Sequence, residues 1–191
     1  MSNAEPLDGL YRALRDRRLE AALAVLQRDP QRLPVSRVGA LVERLERRSR
    51  RLRAAGEIGA RRRTQRHLFA LRALMAHGPR PRKMIRDVEL APDYDGKFML
   101  MQLAGGMLDG KLCLRGGDDW HLEILRNTAA EIRDLGFCRV EVFALGGGFV
   151  RREDRRLRLW GSSDAFGRCD MVLAAGLLRR AFPETDIRVE D

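Results

Sequence analysis

The sequence predicts a chain in two parts: a basic, all-α region over residues 1–80, then an α/β (α+β) domain over 88–191 with a mixed sheet of about six strands and two packing helices. Three observations predict it. Apolar residues recur at helical spacing up to about residue 75 and take on strand-like patterns after residue 96. Between them, His77-Gly78-Pro79-Arg80-Pro81 cannot continue a helix, because prolines lack the N–H and clash with the preceding turn. Charge divides at the same place: residues 1–88 carry 22 Lys and Arg against 9 Asp and Glu, a balance of +13, which leaves −3 for residues 89–191.

At 191 residues, 45% of them hydrophobic, the chain is long enough to bury a sizeable core. No apolar run approaches the roughly 20 residues of a membrane span, and the start lacks a secretion-signal pattern, so a soluble, cytoplasmic protein is expected. Cys113, Cys138 and Cys169 are widely spaced without CxxC pairing, which points to neither a disulfide framework nor a zinc site. Cys113 and Cys138 fall within apolar strand patterns and are expected to be buried thiols.

In the N-terminal part, Leu7, Leu10, Tyr11 and Leu14, then Ala22, Leu23, Val25 and Leu26, recur at helical spacing before the Asp29-Pro30 stop, which reads as a helical hairpin. A longer helix opens at Pro34-Val35-Ser36 with the stripe Val38, Leu41, Val42, Leu45 and Leu52. Its other side holds Arg44, Arg47, Arg48, Arg50, Arg51 and Arg53, and after an interruption at 56–59 come Arg61, Arg62, Arg63 and Arg66. Guanidinium suits phosphate, so an RNA, DNA or anionic-membrane contact, or another acidic partner, is one reading for residues 1–80; a solvated face in a bundle or a homodimer is the other. Leu68, Leu71, Leu74 and Met75 resume the stripe, while His67 and His77 suit surface or capping roles.

In the C-terminal part, Lys97 to Leu103 and Lys111 to Arg115 read as strands. Gly116-Gly117-Asp118-Asp119 leads into a helix from Trp120 to Leu135, with an aspartate cap and a Gly136 stop. His121 then lies in the first turn, where the helix end attracts anions and the imidazole can accept a proton. Strands at 139–145, 149–152 and 156–160 follow, the first two separated by Gly146-Gly147-Gly148, which reads as a kink or a close approach to a ligand. A last helix runs from Ser163 or Asp164 to about Phe182, and a last strand occupies 185–189, giving the order ββαβββαβ. The turn before that last helix, Gly161-Ser162-Ser163-Asp164, has two readings: a phosphate cradle aimed by the helix end, or a plain N-cap.

Four segments together resemble the protein phosphohistidine phosphatase (Janus/Ocnus) family: Asp95-Gly96-Lys97-Phe98, Trp120-His121-Leu122-Glu123-Ile124, Leu145-Gly146-Gly147-Gly148, and Trp160-Gly161-Ser162-Ser163-Asp164-Ala165-Phe166-Gly167. The resemblance covers about 88–191 and none of the arginine-rich part. It implies that fold and a metal-independent, cofactor-free phosphatase for phosphohistidine or another phosphoramidate, in a protein or a small molecule. It further implies His121 as base or nucleophile and Ser163, Ala165 and Gly167 as the phosphate loop, assisted by the backbone of Leu122, with Ser162, Gly147 and Gly148 alongside. The chain departs from the family where Met99 and Phe149 stand in place of a lysine and an arginine; Lys97 and Arg151, two residues away, would have to substitute. A non-catalytic module that recognises phosphate is the alternative.

Overall fold

The computed structural model of the chain describes residues 16, 18–29, 33 and 35–190. They fall into two compact units, one comprising the described residues up to Ile85 with Glu131–Val140, the other Arg86–Ala130 with residues from Glu141 onward.

The first unit is helical: α1 (Leu19–Arg28), α2 (Val35–Ala54) and α3 (Ile58–His77). The expected stripe of α2 is buried at Val38, Leu41, Val42 and Leu45, with Leu52 half-buried, and α3 buries Leu68, Leu71 and Leu74. Met75 departs from the expected stripe and lies exposed, since the buried face of α3 runs through Ala70 and Ala73 instead. The hairpin between α2 and α3 is closed by a left-handed Gly56 (φ 70°), with Glu57 N–H donating to Leu52 O at 2.9 Å and Gly56 N–H to Arg53 O at 3.2 Å. That pair of bonds satisfies helix-end carbonyls that would otherwise lack partners. Residues 7–14 of the proposed first hairpin lie outside the described residues.

The second unit is a mixed six-stranded sheet in the order β1-β3-β2-β4-β5-β6, made of Val88–Glu89, Asp95–Ala104, Lys111–Gly116, Glu141–Glu153, Arg156–Trp160 and Asp186–Val189. Its outer pairs, β1 with β3 and β5 with β6, are parallel, and the rest are antiparallel. Two helices belong with it, α4 (His121–Asp134), whose last four residues count with the first unit, and α5 (Met171–Ala181). Phe98, Leu100, Val150, Leu157 and Leu159 form one core with Met171, Ala174, Leu177 and Leu178 of α5. Alternation turns Lys97, Phe149 and Trp160, which stand opposite one another on β2, β4 and β5, to the other face.

Four further expectations need correction. Residues 141–153 form one strand rather than two, because the glycines allow a bulge: Met99 pairs with Gly147 but Met101 with Ala144. A short first strand, Val88–Glu89, was too brief to show alternation. With these, the order is βββαββαβ. Cys138 is exposed, since it lies in the turn between α4 and β4 rather than in a strand; Cys113 and Cys169 are buried. Finally, α5 starts at Met171 and is capped by Asp170, whose carboxylate accepts from Leu173 N–H at 2.9 Å. Neither Ser163 nor Asp164 caps it.

Candidate functional site

Without a helix behind it, the 161–168 turn organises itself as a loop. Gly167 N–H donates to Ser163 O at 2.8 Å, Ser163 N–H to Gly167 O at 3.2 Å, and Phe166 N–H to Ser163 Oγ at 3.3 Å. Ser163 is therefore buried at 3% exposure and holds the loop closed, while Ser162, Ala165 and Gly167 are exposed. Gly147 N–H donates to Gly167 O at 3.0 Å, which ties the loop to the bulge of β4.

The same glycine is the seat of His121. A Cβ on Gly147 would fall 2.7 Å from His121 Cδ2 and 2.8 Å from Nε2, so the ring lies directly on the backbone. The expected close approach at the triple glycine is met by the chain's own imidazole. His121 is buried at 8% exposure, and its Nε2 lies 3.1 Å from Gly148 O. A carbonyl can only accept, so Nε2 carries the hydrogen and a neutral ring keeps its lone pair on Nδ1. Gly147 thus touches both the imidazole and the loop, and Gly148 fixes the tautomer.

Aromatic rings frame this pair. Phe149 meets His121 edge-on at 6.2 Å between centroids and stacks on Trp160 at 6.0 Å with 20° between planes. Such contacts add about 0.5–1.5 kcal/mol each beyond the area they bury. Lys97 Nζ sits 4.5 Å above the ring of Trp120, which is itself 67% exposed. Tyr94 holds the base of this arrangement: its hydroxyl donates to Lys97 O and accepts from Gly117 N–H, both at 2.7 Å. Burial raises the Tyr94 pKa above that of a free phenol, keeping the donor protonated.

The two cations proposed as substitutes fare differently. Lys97 stays beside the residue preceding His121. Arg151 is bound to Asp95, Nε at 2.8 Å and a terminal nitrogen at 2.7 Å, and that hydrogen bond raises its pKa. Its partner faces it in register on β2, so the guanidinium is already engaged by a carboxylate.

Backbone donors are the remaining resource. The N–H groups of His121 and Leu122, in the first turn of α4, and those of Asp164 and Ala165 in the loop bond to no acceptor among the described residues. The side chain of Leu122 points to solvent, so only its backbone can serve here. An anion at the start of α4 would meet the positive end of a 14-residue helix and unpaired donors. No group of three His, Cys, Asp or Glu that could hold a metal ion occurs among the described residues.

Tyr94 and the Phe149–Trp160 stack were missed by reading motifs. The only signal was the pair Gly96 and Gly116, where a Cβ would strike the Tyr94 ring, and a pairing of that kind is invisible before register is known.

Comparison with known proteins gives one family: the model described as Janus/Ocnus matches residues 82–186. The sex-regulated protein janus-A of Drosophila yakuba is 29% identical over 108 residues, covering 54% of this chain and 78% of the fly protein. Its Drosophila melanogaster counterpart is 27% identical over the same shares. No helix among the described residues is long and apolar enough to cross a membrane.

Proposed function

Because the chain belongs to the Janus/Ocnus family, we propose that its second unit hydrolyses a phosphoramidate P–N bond, phosphohistidine in a protein or a small molecule, with His121 as the proton-transfer group. The observation that carries this is the seating of His121: one nitrogen fixed by Gly148 O, the other without a hydrogen bond among the described residues, with the 163–167 loop tied to the glycine beneath it.

His121 Nδ1 takes a proton from water as the oxygen bonds to phosphorus. The P–N bond breaks, its electron pair goes to the leaving nitrogen, and the imidazolium returns the proton there. The N–H groups of His121, Leu122, Asp164 and Ala165 are suited to the phosphoryl oxygens. Lys97 adds a charge nearby, and Phe149 and Trp160 keep one side of the site apolar.

A phosphohistidine peptide incubated with the wild type and with His121→Ala is the direct test. Phosphate release by the wild type, reduced at least about a hundredfold in the variant, is expected. Equal release by both proteins ends the assignment. One observation favours a second reading, recognition without turnover: Met99 and Phe149 remove two positive charges and Asp95 engages the nearest replacement. In that case wild type binds inorganic phosphate without hydrolysing the peptide.

A further inference from the structure

We propose that the tip of the α2–α3 hairpin is a docking surface for the phosphodiester backbone of a nucleic-acid duplex, read without regard to sequence. Residues 35–77 hold twelve arginines and three glutamates. Six of the arginines gather where the hairpin turns: Arg50, Arg51 and Arg53 close α2, and Arg61, Arg62 and Arg63 open α3. At about 1.5 Å per residue each trio spans less than one helical turn, and the antiparallel hairpin brings both to the same end. The three residues between the helices contain a single carboxylate, Glu57.

None of the six forms an ion pair with a carboxylate among the described residues, unlike Arg47 with Glu43, Arg66 with Glu131 and Arg72 with Glu46 elsewhere on the same helices. Arg61 Nε is buried without a hydrogen-bond partner. No acidic residue occupies the first turn of α3, so Glu57 at its N-cap is the single carboxylate set against three arginines at that positive helix end. Six guanidinium groups crowded in this way repel one another, and a polyanion relieves the repulsion while releasing its own counterions.

The type of polyanion follows from what surrounds the charge. No Phe, Tyr or Trp occurs from residue 35 to residue 68, so unpaired bases find no ring to stack on. An interfacial helix inserts an apolar stripe, but that of α2 is buried, which leaves Ile58 as the exposed aliphatic side chain at the tip. Evenly spaced phosphates on a stiff duplex remain as the best match.

The test uses the full chain and fluorescence anisotropy with 20-base-pair RNA and DNA duplexes of arbitrary sequence, single-stranded oligonucleotides, and vesicles of anionic phospholipid. Binding to duplexes is expected, insensitive to base sequence and falling steeply between low and physiological salt. The triple variants R50Q/R51Q/R53Q and R61Q/R62Q/R63Q should each weaken it at least tenfold and flatten the salt slope by about one unit for every phosphate no longer neutralised. The matching Arg→Lys triples should restore most of the salt slope, which a merely structural role would not do. Comparison of the two duplexes tells whether RNA or DNA is preferred. Absence of duplex binding at low salt, binding indifferent to both Gln triples, or capture by vesicles alone would overturn the proposal.

Discussion

Gly147→Ala should uncouple His121 from its seat. The new methyl group would stand 2.7 Å from His121 Cδ2, 2.8 Å from Nε2 and 2.8 Å from Phe98 O. Carbon atoms pack at about 3.5–4.0 Å, so the imidazole has to retreat by about 1 Å and Phe98 O has to give as well. Phe98 O belongs to a strand paired with β4, so relief of that contact shifts the sheet backbone locally, while the side-chain imidazole is the neighbour that moves farthest. A retreat of that size carries Nε2, now 3.1 Å from Gly148 O, past hydrogen-bond range. The lost bond and the overpacking together cost about 2–4 kcal/mol of stability. Displacement of a reacting group by about 1 Å costs on the order of a hundredfold in rate. Urea denaturation measures the first, phosphate release the second, and the nitrogen spectrum of the His121 ring reports the change in tautomer directly. An alanine variant with wild-type stability and an unchanged His121 spectrum would refute the packing argument, whether or not the protein turns over.

Two further expectations concern titration and reactivity. Burial lowers the His67 pKa below 6.5, outweighing the bond its Nε2–H donates to Asp134 O at 3.3 Å and the charge of Asp134, while Arg48 and Arg63 push it further down. The unfolded chain then binds more protons than the native one as pH falls below about 6.5, so stability is lost through that window, at no more than about 1.4 kcal/mol per pH unit. Thermal melts from pH 7.5 to pH 5 on wild type and His67→Gln should show that slope in the first and its loss in the second; superimposable profiles would contradict the burial argument. The thiols should separate by exposure: with Ellman's reagent at pH 8, Cys138 reacts in the native state, whereas Cys113 and Cys169 wait for denaturant. Burial pushes Cys169 up to about 11, which leaves almost no thiolate to react. Rapid modification of all three in the folded protein would count against this core.

How much of this was legible in the sequence depends on the range over which each signal acts. Gly56 and Gly136 close their helices by local bonds, and the Gly136 stop could be read from its neighbours alone: Gly136 N–H donates to Arg133 O and Phe137 N–H to Ile132 O. The helical stripe of α2 was legible for the same reason. The loop at 161–168 misled because Ser-Ser-Asp is a good N-cap pattern, and the true cap, Asp170, stands six residues later behind Gly167 and Cys169. The seating of His121 was hidden entirely. It depends on a bulge that shifts the register of β4 against β2, and a shift of one residue exchanges the faces of every following side chain. Alternation along each strand puts Lys97 on the face of Met99 and Arg151 on that of Phe149, but only the register revealed Asp95 opposite Arg151.

The two anion-binding proposals rest on different physics, which makes them separable in one protein. At the hairpin tip the groups are guanidinium charges in water, so attraction is long-ranged and salt erodes it within a Debye length of about 10 Å. Around His121 the donors are backbone N–H groups of α4 and the loop, with Lys97 above Trp120 as the near cation. Dipoles act over a few ångströms and need geometry rather than net charge. The domain that holds them is itself weakly acidic, at −3 over residues 89–191, so its own net charge does not draw an anion in from a distance. Under the proposed hydrolysis, apolar Met99 and Phe149, which stand where the resemblance implies two cations, would weaken capture of the phosphoryl group more than the proton transfer that follows, and so would raise KM rather than lower kcat.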